Sequence, residues 1–251
     1  MSNDNPPPPL LPTPQKSKKK GCLIGCAIAA GIGMFFVIPI LAAALFPAVS
    51  AAILSARATA MKQQSRSIWT AITSANHDRI GAGLPLLWPG DLAQHGITFT
   101  FAEEYFTYLM SDGVNTTVIE PNPDKRLVPD LHPARFAGPG VTSAPVGGPL
   151  LPENNAWHVV VVYNGSSAST PFLISRNARA SDFSQVLRAV EGDNALVAMN
   201  PSVKPFGQNV AVWVTRGGST IDARRRLFTR KLICSEGEPP LTVLPAQGGF
   251  R

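Results

Sequence analysis

The sequence predicts an α+β protein in which a long amino-terminal helix packs on a small, mainly antiparallel sheet. A run of 36 residues without Asp, Glu, Lys or Arg, residues 21–56, is followed by apolar residues at helical spacing. The second half contains pairs of short apolar stretches joined by polar or glycine-containing turns, which is typical of β-hairpins. The chain is expected to fold, because 45% of its 251 residues are hydrophobic and only 15% are charged.

The first element is a polar arm. Residues 1–20 contain a proline-rich stretch, NPPPPLLPTPQ, and end in a cluster of four lysines. Proline-rich polar segments favour a solvated, polyproline-like chain with no apolar surface to bury. We therefore predict a disordered cytoplasmic arm over residues 1–20.

The second element is a predicted transmembrane helix over residues 21–48. About 20 apolar residues suffice to cross a bilayer, and the uncharged run is longer than that. A secretory signal segment and a buried core helix are the alternatives, but both are usually shorter. Lysines immediately before the span place the amino terminus in the cytoplasm. The sequence LIGC at 23–26 also looks like a lipoprotein box, but it lacks the long apolar run that should precede Cys26.

The third element, residues 49–79, is predicted to continue the helix beyond the membrane. Its apolar and small residues recur at spacings of four and three, which defines one face of an amphipathic helix. A single helix from about Cys22 to Asn76 is the simplest interpretation, apolar all round in its first half and one-sided in its second. The residues of that face are Leu54, Ala58, Met61, Ser65, Ile68, Ile72 and Ala75.

The fourth element is a soluble α+β domain over residues 80–251. EEYFTYLMSDG from Glu103 predicts a short helix closed near Gly113. Eight prolines between Pro121 and Pro152 predict a flexible Pro/Gly-rich loop over 121–155. Two hairpins are expected, and a further helix is predicted between them over 181–190. The first hairpin joins the apolar run 159–163 to 170–175, and the second is formed by NVAVWVTRGGSTI at 209–221.

The amino-terminal half resembles a known family. Basic residues, a glycine and an apolar run that ends in ILAAALFPAVSAAILSARATAMKQQSRSIWTAI (40–72) are similar to type IV pilin-like proteins, specifically type II secretion pseudopilins. The similarity is to the prepilin-like proteins of planctomycete and verrucomicrobial bacteria in particular. Weaker similarity extends to 74–89, 103–109 and 135–140. The resemblance implies a pilin-like fold, a single-pass protein of the inner (cell) membrane and a periplasmic carboxyl-terminal domain.

The resemblance also implies processing and assembly sites. Leader cleavage is expected after Gly21, leaving Cys22 first, or after Gly25, leaving Cys26 first. Family members carry glutamate at the fifth position after the cut, where this chain has Cys26 or Ala30, so it departs from an ordinary major subunit. Other pilin-like subunits or secretion-system membrane proteins, and the lipid bilayer, are the expected partners of the helix. The residues implied in helix assembly are Ala30, Pro39 and Pro47.

No catalytic, cofactor or metal site is expected from the sequence. The histidines His77, His95, His132 and His158 are scattered, without metal-ligand spacing, and no nucleophile or phosphate-loop motif occurs. Glu103 and Glu104 point in different directions on a helix, so they are interpreted as charges at a helix amino terminus. An exported hydrolase would need a constellation that is absent, and an enzyme is not predicted.

The net charge of +6 suggests no nucleic-acid partner, because half of it lies in the first twenty residues and no nucleic-acid-binding motif accompanies it. The densest basic cluster of the second half is interpreted as a solvated face, with contact to an acidic partner or to lipid head groups as the alternative. Its residues are Arg224, Arg225, Arg226, Arg230 and Lys231.

Two functions are expected from these observations. The first is a membrane-anchored structural or minor component of a type II secretion or pilus-like assembly. The second is a periplasmic binding module on a pilin-like scaffold that is anchored in the membrane and does not polymerise. The missing glutamate favours the second, and the Lys20-Gly21 boundary favours the first.

Overall fold

The structure, a computed structural model, describes residues 19–144, 150–184, 196–225, 227–229 and 241–249; in the first helix it describes side chains at residue 43 and from residue 45 onward. The chain divides into two units, Met1–Ala52 and Ile53–Arg251. Most of the predicted arm, residues 1–20, and most side chains of the predicted span, 21–48, lie outside the described residues. Within the described part, no helix combines the length and apolar character needed to cross a membrane.

Helix α1, Lys19–Gly81, is longer than the predicted helix and continues through both Pro39 and Pro47. The predicted amphipathic face is confirmed over its second half, because six of its seven positions are buried and Leu54 is half-buried. The helix ends where Gly83 takes a positive φ of 67° and Leu84 donates its amide to the Arg79 carbonyl at 2.9 Å. The buried positions are Ala58, Met61, Ser65, Ile68, Ile72 and Ala75.

Five antiparallel strands form one sheet in the order β4-β3-β2-β1-β5. Both predicted hairpins are present, as β1 with β2 and β3 with β4. The structure therefore confirms an α+β protein with a long helix and a small antiparallel sheet. The strands are β1 Trp157–Val160, β2 Pro171–Ser175, β3 Val210–Thr215, β4 Thr220–Arg224 and β5 Val243–Leu244.

Strand β1 begins and ends earlier than its apolar run predicts. The run 159–163 is apolar, yet β1 ends at Val160. Val161 still donates in register to the Thr242 carbonyl at 2.8 Å, next to the pairs of β1 with β5. The Val162 carbonyl then leaves the ladder, because it accepts from the Gly90 amide at 3.0 Å. The Val162 side chain is buried like that of a strand residue, which explains why the sequence predicts a longer strand. Its backbone carbonyl instead binds helix α2, Pro89–Gln94.

Three shorter α-helices follow α1 along the chain. The helix predicted from Glu103 is confirmed as α3, and Gly113 beyond it has a φ of 82°. The helix predicted over 181–190 is described only in its first turn, and residues 185–190 lie outside the described residues. The bounds are α2 Pro89–Gln94, α3 Ala102–Met110 and α4 Ser181–Ser184.

The described part of the Pro/Gly-rich segment 121–155 packs against the core, which differs from the flexible loop that its composition predicts. Val128, Leu131 and Phe136 are buried, and the Phe136 ring stacks on Phe106 with centroids 4.2 Å apart. These apolar side chains between the prolines anchor the segment, and a composition average does not detect them. Proline starts each of its short 3-10 helices, Pro123–Lys125, Pro133–Phe136 and Pro152–Asn154.

The turn between β3 and β4 requires glycine at position 218. Gly218 has a φ of 84°, and a Cβ atom there would lie 2.8 Å from the Trp69 ring. The indole is fixed, because its Nε1 donates to the Arg216 carbonyl at 2.8 Å. We expect Gly218→Ala to lower the free energy of unfolding by about 1–3 kcal/mol in urea denaturation followed by tryptophan fluorescence.

Gly165→Ala is the matched control for this substitution, since a Cβ at the exposed Gly165 meets nothing within 4 Å and its φ is not positive. Its effect should stay within about 0.5 kcal/mol. Equal losses in the two variants would contradict the turn argument.

Candidate functional site

The clearest surface feature of α1 is a set of exposed apolar side chains near the end of the first unit. Leu45, Phe46 and Val49 are 59%, 75% and 53% exposed. Leu45 and Val49 are four residues apart, so they lie on the same side of the helix, and Phe46 is next to Leu45. We call these three residues the exposed apolar turn. Grouped large apolar side chains in contact with water usually mark a surface that binds lipid or another protein.

The predicted processing and assembly residues all lie within α1. Pro47 is exposed and sits inside the exposed apolar turn. The helical backbone includes the others, but their side chains lie outside the described residues. They are Gly21, Cys22, Gly25, Cys26, Ala30 and Pro39.

A buried polar cluster, which the sequence did not predict, holds the carboxyl-terminal segment against the domain. Asn155 Nδ2 donates to Glu103 Oε1 at 3.0 Å, and the Gln247 amide donates to the same oxygen at 3.1 Å. The Ala246 amide donates to His158 Nδ1 at 2.9 Å. We call Glu103, Asn155 and His158 the carboxyl-terminal clasp.

The environment of His158 fixes its tautomer. Its Nε2 faces two acceptors, the carbonyl oxygens of Arg176 at 3.1 Å and Ala178 at 3.0 Å. Nε2 must therefore carry the proton, and Nδ1 is left as the acceptor for the Ala246 amide. Burial lowers the pKa of His158 from 6.5 to about 4, so the imidazole is neutral at physiological pH.

The two adjacent glutamates have different roles. Glu104 Oε2 accepts from the Thr100 amide at 2.7 Å, as expected for a charge at the start of α3. Glu103 also lies in the first turn of α3, as predicted, but its side chain is buried inside the clasp. Burial raises the pKa of Glu103, while the hydrogen bond from Asn155 opposes the rise. Each carboxylate accepts hydrogen bonds from neighbouring amide groups, and these bonds stabilise the fold.

A cavity of about 690 Å³ lies beside the clasp. Its volume falls within the range of small-molecule sites, about 300–1,000 Å³. Both apolar and polar side chains line it, and burial raises the pKa of the Tyr108 phenol. The lining residues that matter here are Ile97, Phe99, Glu103, Thr107 and Tyr108.

Histidines do not form a metal site in the described part of the chain. His77, His95 and His132 are exposed at separate places, and His158 belongs to the clasp. No group of three or more His, Cys, Asp or Glu side chains placed to hold a metal ion occurs among the residues that are described.

The predicted basic cluster is described at two of its five positions. Arg224 and Arg225 are exposed at the end of β4, as a solvated or partner-binding face requires. Arg226, Arg230 and Lys231 lie outside the described residues.

Comparison of the chain with protein-family models, curated proteins and solved structures gives no match. The clasp could not have been predicted from spacing, because Glu103 and Asn155 are 52 residues apart in sequence. Its only sequence signal is a carboxylate in the first turn of a helix, which usually has a capping role.

Proposed function

We propose that this protein is a membrane-anchored, pseudopilin-like structural or minor component of a type II secretion or pilus-like assembly. The observation that supports the proposal is that two parts of α1, Lys19–Gly81, differ in what their side chains contact. Its second half buries one face in the domain core, whereas the exposed apolar turn presents large side chains to its surroundings. A helix that only stabilised its own domain would have no use for such a turn.

The sequence adds support for an anchor. The uncharged run 21–56 begins directly after Lys20 and contains the exposed apolar turn. In this proposal the amino terminus is cytoplasmic, the span lies in the inner membrane and the domain is periplasmic. Neighbouring pilin-like subunits or secretion-system membrane proteins then bind the helix within the bilayer.

The first test is the amino-terminal sequence and intact mass of the protein recovered from native membranes. A start at Cys22 or Cys26 with a methylated amine would support pilin-type processing. An intact amino terminus on a chain that resists carbonate extraction would leave the anchor and remove the processing step. Recovery of an intact chain in the aqueous fraction would contradict both.

Assembly is tested by crosslinking through the exposed apolar turn. With the natural cysteines Cys22, Cys26 and Cys234 replaced by serine, we expect Val49→Cys to give crosslinked oligomers in native membranes. The control is Thr220→Cys, at a half-buried position on β4. Val49→Asp should abolish the oligomers of a chain that carries a reporter cysteine at Ser50, because a charge on an apolar helix interface is costly. Oligomers that survive Val49→Asp would contradict assembly through this helix.

The second candidate function is a membrane-anchored binding module that does not polymerise. Two observations favour it: the cavity beside Glu103 and the absence of glutamate at Cys26 and Ala30. It shares the anchor with the first proposal but predicts carbonate-resistant monomers without Val49→Cys crosslinks. The crosslinking experiment therefore separates the two functions.

A further inference from the structure

We infer that the second unit binds the head groups of anionic lipids through the turn that follows β4. The turn presents Arg224, Arg225 and Leu227, which we call the basic turn. The inference rests on the proposed membrane anchor and adds to it a specific contact between the domain and the bilayer surface.

The position of the basic turn follows from three contacts between α1 and the sheet edge. Trp69 Nε1 donates to the Arg216 carbonyl at 2.8 Å, and the Trp69 ring lies over Gly218. Four residues further along the chain, Asp222 Oδ1 lies 2.6 Å from Lys62 Nζ. As the strand advances from 218 to 222, its contacts on α1 move back from 69 to 62. Strand β4 therefore runs antiparallel to α1.

This direction places the basic turn at the end of the unit where α1 enters it. Arg224 is two residues beyond Asp222, or about 7 Å at the usual strand rise. The same distance along α1 is about five residues, which leads from Lys62 back to Arg57. Arg57 is exposed, and Ile53, the first residue of the unit, is 48% exposed one turn earlier.

The basic turn combines charge with an exposed apolar side chain. Leu227 is 67% exposed, and its amide donates to the Arg224 carbonyl at 2.8 Å, which closes the turn. The next residue, Phe228, is fully buried against Trp213, with ring centroids 5.5 Å apart. Phe228 anchors the turn to the core, and Leu227 beside it is exposed to solvent.

A second exposed leucine lies beside this turn. Leu196, 54% exposed, pairs with Thr229 in an antiparallel bridge. Isolated exposed leucines need no explanation, but two of them next to a pair of exposed arginines form a mixed apolar and basic surface.

Charges in the described residues around the turn leave its arginines uncompensated. The ion pairs of the described chain are Lys62 with Asp222 and Arg179 with Asp182, and neither includes Arg224 or Arg225. Arg225 Nη1 donates to the neutral Gln208 side chain at 2.6 Å. Asp222, the acidic residue two positions before Arg224, is thus engaged with Lys62, and the turn carries net positive charge.

An anionic bilayer surface fits this combination best. Head-group phosphates pair with arginine, and leucine enters the boundary between head groups and acyl chains. The sequence already places apolar residues directly before the unit, in the uncharged run 21–56. A nucleic acid would use the arginines but leave Leu227 and Leu196 without a role.

The test uses the full-length chain reconstituted in nanodiscs of phosphatidylcholine alone or with about one third phosphatidylglycerol. Hydrogen exchange of the peptide that covers 220–229 is compared with that of α3, Ala102–Met110. We expect slower exchange at 220–229 only in the anionic discs, and loss of this protection in 0.5 M salt. Arg224→Gln with Arg225→Gln should weaken the protection about fivefold for each arginine.

The matched control is Arg66→Gln with Lys125→Gln, which removes the same charge from exposed positions elsewhere. Protection that is equal in both disc types, or that survives the double substitution of the basic turn, would overturn the inference. Failure of the chain to enter discs of either composition would instead contradict the proposed anchor. In that case, flotation of the full chain with the same two lipid mixtures still decides the lipid contact, since only the basic-turn variant should lose binding to the anionic vesicles.

Discussion

Ile72→Ala is expected to lower the free energy of unfolding by about 2–5 kcal/mol, because it removes a fully buried side chain where α1 contributes to the core. The deletion loses the transfer free energy of three carbon atoms and leaves a cavity that the sheet cannot fill completely. Urea denaturation of the full chain in detergent micelles measures the loss. The fully buried Trp157 and the nearly fully buried Trp213 report it by fluorescence.

Ile80→Ala is the matched control on the same helix. Ile80 is 61% exposed, and the exchange of isoleucine for alanine changes intrinsic helix propensity equally at both positions. We expect this variant to stay within about 0.5 kcal/mol of the natural protein. If both variants lost the same stability, the one-sided packing of α1 would be refuted, and with it the argument that the rest of the helix is available to a membrane or a partner.

The α1 face was predictable because one physical pattern controls it. Residues spaced by three and four must share a side of a helix, and the structure buries Ala58, Met61 and Ile72 as this pattern requires. The hairpin at Gly217-Gly218 was predictable for a similar local reason, since the turn needs a positive φ that Gly218 supplies.

Features that depend on distant residues were not predictable. The position where β1 ends is set by Gly90, about 70 residues earlier, whose amide donates to the Val162 carbonyl. The sequence of the strand itself contains no sign of this contact. The packing of segment 121–155 depends on the stacking of the Phe136 ring on Phe106, which is 30 residues earlier in the sequence. The basic turn contains one predictable and one unpredictable feature. Its arginines were evident in the sequence, but the direction of β4 along α1 was not, because it depends on contacts between distant residues.

The carboxyl-terminal clasp predicts a loss of stability in acid. The pKa of His158 is about 4 in the folded protein and 6.5 when unperturbed, because burial disfavours the imidazolium more than the hydrogen bonds to the Arg176 and Ala178 carbonyls favour it. The unfolded chain therefore binds more protons than the folded chain between these values. The contribution of His158 is complete above pH 6.5 and is lost as the pH falls through about 4, by about 3 kcal/mol in total.

Glu103 acts in the opposite direction within the same clasp. Burial raises its pKa, so its contribution is present below its unperturbed value of 4.5 and is lost as the pH rises through the folded value. The pH dependence of the natural protein is the sum of both groups, and only a variant can isolate the histidine.

His158→Gln provides that separation, because glutamine retains a donor and an acceptor but does not titrate. We expect the natural protein to lose about 3 kcal/mol more than His158→Gln between pH 7 and pH 4 in urea denaturation. The control His95→Gln removes an exposed histidine and should retain the full acid loss. An identical pH profile for the natural protein and His158→Gln would show that the imidazole does not hold Ala246. The carboxyl-terminal segment would then be held by the pairing of β5 with β1 and by Glu103, which accepts from the Gln247 amide.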